Sequence, residues 1–79
     1  MFVYILHSSS LQKHYIGHTS DIEDRINRHN AGHEKYTKTG VPWELIWKKE
    51  VETRSEAMKV EKQIKKRGAK RYLESQFGV

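Results

Sequence analysis

The chain has no cysteine, so neither disulfides nor a thiolate-held zinc can support its fold. It has no apolar run long enough to span a membrane. The opening segment Met1-Phe-Val-Tyr-Ile-Leu turns polar at His7-Ser8. That run is too short for a secretion signal, lacks a basic flank and ends in no small-residue cleavage site. These absences lead us to expect a cytoplasmic protein with no membrane partner. With 79 residues, one domain over 1–79 is expected. A chain of this size buries only roughly 60% of the surface its unfolded form exposes. A large enclosed substrate cavity is therefore not expected, and a surface groove is.

What the chain does have is positive charge. Lys and Arg number 15 against 10 Asp and Glu, a formal charge of +5. The excess concentrates in Lys59, Lys62, Lys65, Lys66, Arg67, Lys70 and Arg71, with Glu61 as the lone acid of that segment. Such density points to phosphate-bearing partners. It fits a solvated helix face equally well, and charge alone does not separate the two.

The pattern predicts an α+β fold, a small three-stranded antiparallel sheet flanked by three helices in the order β-β-α-β-α-α. Phe2 to His7 is β-branched and aromatic, and reads as a strand covered on both sides. After the polar connection from Ser8 to Lys13, His14 to His18 reads as its hairpin partner. Ser20 with Glu23 forms a capping box, opening a helix from Asp21 to about Asn30 that Gly32 ends. Ile22 and Ile26 supply its apolar stripe. Residues 33–41 read as a loop, followed by Pro42, the only proline. Trp43 to Lys48 alternates as a third strand, with Trp43, Leu45 and Trp47 on one face. Thr53 with Glu56 opens a second helix that Gly68 stops near Arg67. A last helix from Ala69 to about Gln76 turns Tyr72, Leu73 and Phe77 inward.

Several residues exceed what this scaffold needs. If the hairpin pairs His7 with His14, Tyr4 faces Gly17 and Leu6 faces Tyr15. Tyr4 and Tyr15 are then diagonal neighbours roughly 7–8 Å apart at the backbone, and Gly17 leaves space beside Tyr4. Both are also ordinary strand aromatics. Ile22, Arg25, Ile26 and His29 form a single helical stripe, so a guanidinium and an imidazole sit at the edge of the apolar face; snorkelling to the rim is the plainer account. Glu61 falls inside the inward stripe of Ala57, Val60 and Ile64. A carboxylate there is paired or holds a metal, and an ion pair with Arg25 is one such pairing. His14 and His18 share a strand face and His29 and His33 are four apart, but neither pair finds a third ligand for a zinc site. Trp43 and Trp47 are expected in the core.

Taken together, these residues resemble the GIY-YIG endonuclease family, and its small stand-alone bacterial members most of all. Val3-Tyr4-Ile5 stands where the family has its first half-motif, with Val3 in place of the first glycine. Tyr15-Ile16-Gly17 matches the second half-motif letter for letter. Arg25 and His29 fall in the helix that follows, and Ala57-Met-Lys-Val-Glu61 with Ile64-Lys65 matches the segment carrying the family's metal-binding glutamate. The resemblance covers nearly the whole chain.

It implies a metal-dependent endonuclease that hydrolyses phosphodiester bonds in DNA, in processing of the repair or recombination type. Tyr4, Tyr15, Arg25 and His29 are then the catalytic residues, with either tyrosine as the base. Glu61 holds a single Mg²⁺ or Mn²⁺, which takes one or two carboxylates, water and substrate phosphate. Gly17, Lys59, Lys62, Lys65 and Lys66 are the expected nucleic-acid contacts. DNA is the expected partner, or RNA, and relatives that act with further domains or partner proteins make such a helper an expectation here. The rival reading is a nucleic-acid-binding module with the nuclease fold and no significant catalysis.

Overall fold

The computed structural model describes residues 1–32 and 38–76. Strands β1 (Phe2–Ser8) and β2 (Lys13–Thr19) precede helix α1 (Ile22–Asn30), and strand β3 (Trp43–Glu50) follows it. Two helices complete the order, α2 (Arg54–Arg67) and α3 (Ala69–Gln76). The strands form an antiparallel sheet ordered β2-β1-β3, an α+β fold as the sequence predicts. His33 and Phe77 lie outside the described residues, as does most of the expected loop before Pro42.

The hairpin register is the one the His7–His14 pairing requires. Tyr4 faces Gly17, Leu6 faces Tyr15 and Val3 faces His18. Because successive side chains alternate, the sheet has two unlike faces. Val3 and Ile5 pack with Ala57, Ile64 and Ala69 beneath α2 and α3. Tyr4, Leu6 and Trp43 pack on the other face with Tyr15, Leu45 and the α1 residues Ile22 and Ile26.

The third strand departs from the sequence reading. Ile5 pairs with Trp47 but Leu6 pairs with Leu45, so Ile46 is an extra residue in β3. A bulge of this kind breaks strict alternation. Trp43 and Leu45 therefore join the tyrosine face, whereas Trp47 crosses to the aliphatic face and meets Tyr72 edge-on at 5.3 Å. Both tryptophans are core residues, on opposite sides of the sheet.

The helix ends follow local hydrogen bonding. The α1 cap is Asp21, whose side chain accepts from Asp24 N at 3.1 Å, and not Ser20 with Glu23. Thr19 Oγ1 accepts from Asp21 N at 3.1 Å, which holds Asp21 extended at the helix start. Asp and Ser cap about equally well, so this local side-chain bond selects between neighbours. Gly32 (φ +75°) follows the last turn. Asn30 then ties α1 to β3, donating to Trp43 O at 3.1 Å and accepting from Trp43 N at 2.6 Å. At α2 the expected cap holds, with Thr53 accepting from Glu56 N at 3.1 Å and Gly68 (φ +93°) ending the helix.

Candidate active site

Strand β1 sets Tyr4 in the centre of the sheet, 1% exposed. Its ring lies directly over Gly17, where an added Cβ would fall 2.7 Å from the Tyr4 hydroxyl oxygen and 2.9 Å from Cζ. The space expected beside Tyr4 is thus taken by the phenol itself. Any side chain at Gly17 would push that phenol aside. The Tyr4 and Tyr15 rings lie 6.3 Å apart, inclined by 27°.

Helix α1 brings His29 under this pair. His29 is fully buried, with Nε2 at 3.2 Å from the Tyr4 hydroxyl and its ring edge-on to Tyr15 at 4.7 Å. Burial of an imidazole is tolerated when its nitrogens are engaged, and the Tyr4 hydroxyl supplies one such bond. One turn earlier Arg25 lines an open pocket of about 280 Å³, together with Tyr4, Tyr15 and Gly17. His29 does not line it; it hydrogen-bonds to Tyr4, which does.

The far wall of the pocket comes from the opposite face of β2. Because β2 is an edge strand, side chains from its two faces meet at one rim. His18, next to Gly17 and pointing the other way, faces α2 and reaches Glu61, Nδ1 to Oε1 at 2.8 Å. Lys65, one turn along α2, meets Glu61 Oε2 at 3.0 Å. These two residues take the place of Arg25, the partner that the sequence offers for Glu61. Burial raises the Glu61 carboxyl, but the hydrogen bonds from His18 and Lys65 and their charges outweigh it, and the net shift is below the ordinary carboxylate value. The ionised carboxylate only accepts, so His18 Nδ1 carries the proton.

The pocket therefore gathers Tyr4, Tyr15, Gly17, Arg25, Glu61 and Lys65 of the expected site residues, with His29 behind Tyr4. It does not gather the other lysines. At roughly 100° per residue, Lys59, Lys62 and Lys66 face away from the core. Lys59 and Lys66 line grooves elsewhere.

Two pocket residues escape the sequence reading, His18 and Arg54. Arg54, Glu61 and Lys65 are spaced i, i+7, i+11, one ridge of a helix, so Arg54 is within reach of that arithmetic. His18 enters the sequence reading only as a member of a histidine cluster. Its parity, opposite to Gly17, is the signal that it faces the helix carrying Glu61.

The donor set fits a hard divalent cation. Among the described residues no group of three His, Cys, Asp or Glu gathers. Mg²⁺ or Mn²⁺ needs one carboxylate, water and a substrate phosphate. Glu61 offers that carboxylate at the pocket wall, its side chain 19% exposed and oriented by His18, as metal-ligating carboxylates usually are. Lys65, 56% exposed, holds the second oxygen, and a surface ion pair of this kind is weak.

Known proteins resemble this chain over most of its length. The sequence pattern of the GIY-YIG catalytic domain matches residues 1–73. Proteins named UPF0213 from Staphylococcus aureus strains Mu3, Mu50 and N315 are each 42% identical over 65 residues, covering 81% of this chain and 78% of theirs. No solved structure matches significantly. The chain belongs to the GIY-YIG catalytic-domain family.

Proposed function

We propose that this chain is a divalent-metal-dependent endonuclease of the repair or recombination type, using Tyr4, Tyr15, Arg25, His29 and Glu61. The coarser part follows from the family, whose domain implies nuclease activity with DNA as substrate. The observation that carries the finer reading is the joining of the Tyr4–His29 hydrogen bond and the Glu61 carboxylate at one pocket.

Of the two tyrosines, Tyr4 is the better base, because its hydroxyl sits 3.2 Å from an imidazole nitrogen able to take its proton. As water attacks phosphorus, its proton passes to the Tyr4 oxygen while the Tyr4 proton passes to His29 Nε2. Tyr15 braces His29 edge-on. Arg25 stabilises the charge that builds on the phosphoryl oxygens. Glu61 would hold the metal, which would supply polarisation of the phosphate and stabilisation of the leaving oxygen. Gly17 admits the phenol, and Lys65 with Arg54 supplies positive charge beside the scissile phosphate. Lys59, Lys62 and Lys66 on the outward side of α2 add long-range attraction for the polyanion.

The test is a cleavage panel of duplex, flapped, branched and single-stranded DNA, with RNA alongside, in Mg²⁺, Mn²⁺ or EDTA. Cleavage of at least one DNA substrate in metal alone is expected, with Arg25→Lys binding DNA but losing most cleavage, since an ammonium lacks the guanidinium fork. Cleavage that persists in EDTA would overturn the metal assignment.

A further inference from the structure

Helix α2 ends in Lys65-Lys66-Arg67, and Gly68 turns the chain into α3. In the elbow between the helices lies a groove of about 430 Å³, lined by Gln63, Lys66, Arg67, Arg71 and Tyr72. It shares no residue with the active-site pocket. Lys66, Arg67 and Gln63 lie roughly 120–160° around α2 from Glu61, at about 100° per residue. Whatever sits in the elbow is therefore not at the scissile bond. Its wall is held firm, because Tyr72 packs edge-on against Trp47 with ring planes 83° apart.

The sign of the charge distinguishes this groove. Three cations line it and no acid does; Glu74 lines the adjoining depression with Arg67 and Arg71. Among the described residues, no ion pair engages Lys66, Arg67 or Arg71. The groove that continues along the same ridge of α2, sharing Gln63 with the elbow, is the contrast. There Lys49 and Lys59 are set among Glu50, Glu52 and Glu56, and its net charge is negative. Two arginines, one from each helix, suit a ligand with repeated phosphates, which guanidinium forks bind through paired N–H···O bonds.

We propose that the α2–α3 elbow is a second, non-catalytic nucleic-acid site that grips the sugar–phosphate backbone of the substrate away from the bond being cut. The assignment rests on the nuclease reading for its choice of ligand. Its test needs no cleavage, so the two fail separately: a failed nuclease reading shows in the cleavage panel, a failed elbow in binding.

The experiment is fluorescence anisotropy of a labelled 20-base-pair DNA duplex in EDTA across a salt series. Arg67→Gln with Arg71→Gln should flatten the slope of log affinity against log salt by about 1.8, roughly 0.9 for each phosphate no longer neutralised. Arg67→Lys with Arg71→Lys should keep the slope. Lys13→Gln with Lys49→Gln, which removes two equal charges elsewhere on the surface, should change it far less. The proposal is overturned if the two glutamine pairs flatten the slope equally, if the lysine pair loses as much as its glutamine counterpart, or if the full chain does not bind the duplex.

Discussion

The two faces of the sheet differ in kind. Beneath α2 and α3 the core is aliphatic, with Val3, Ile5, Ala57 and Ile64 fully buried. Beneath α1 the buried residues include Tyr4, Leu6, Trp43 and His29, two of them joined by a hydrogen bond. A small chain has little core to divide, yet here one face carries groups able to move a proton. In the proposed mechanism labour is divided: the aliphatic face holds the fold, and the phenol–imidazole face carries the chemistry. Edge strand β2 joins them, taking Tyr15 and Gly17 from one face and His18 from the other into a single pocket.

One substitution on each face separates them most visibly. Ile64→Ala on the aliphatic face should destabilise by about 2–5 kcal/mol through lost burial and a cavity, read by denaturant melts, with activity falling only as the protein unfolds. Tyr4→Phe on the other face keeps the packing and should lose about 1 kcal/mol for its hydrogen bond, but cleavage should fall by about a hundredfold or more. Comparable stability losses for both would erase the distinction.

Gly17→Ala tests the tyrosine face more finely. A methyl group within 3 Å of the Tyr4 oxygen forces the phenol to move. We expect a stability loss of about 1–3 kcal/mol together with near-complete loss of cleavage, measured on protein shown by melting to be folded.

The hairpin register is legible in the sequence because a short connection and a period of two leave one pairing that puts Gly17 beside Tyr4. The inward position of Glu61 is legible from helical spacing. The bulge at Ile46 is not, since nothing in Trp-Glu-Leu-Ile-Trp marks the extra residue, and its insertion moves Trp47 to the other face. Nor is the His18–Glu61 bond, which joins residues 43 positions apart and depends on how α2 lies across β2. The α1 cap falls one residue beyond the Ser20 signal for a local reason, the Asp21 N–H donated to Thr19 Oγ1, which a capping-box pattern does not record.

The smallest expected effect lies at the end of the hairpin, where the His7 and His14 rings stand 5.0 Å apart. Burial, then the charge of His7, lowers the His14 value from 6.5. A histidine with a depressed folded value favours the neutral form, so its contribution is present above about 6.5 and is lost as pH falls through the folded value. His14→Gln should flatten the decline of melting temperature just below that pH. An unchanged decline would leave His14 with no part in the acid sensitivity of the fold.

In the proposed mechanism Glu61 serves a metal at the pocket, and does not simply pair with His18 and Lys65 for stability. Cleavage by Glu61→Gln, measured in Mg²⁺ at a temperature where its melt in EDTA shows it folded, separates these roles. Glutamine still accepts from His18, and the Lys65 pair is exposed, so stability should fall by no more than about 1 kcal/mol. We expect cleavage to be abolished while duplex binding survives. A folded Glu61→Gln protein that cleaves at the wild-type rate in Mg²⁺ would contradict the metal-binding role.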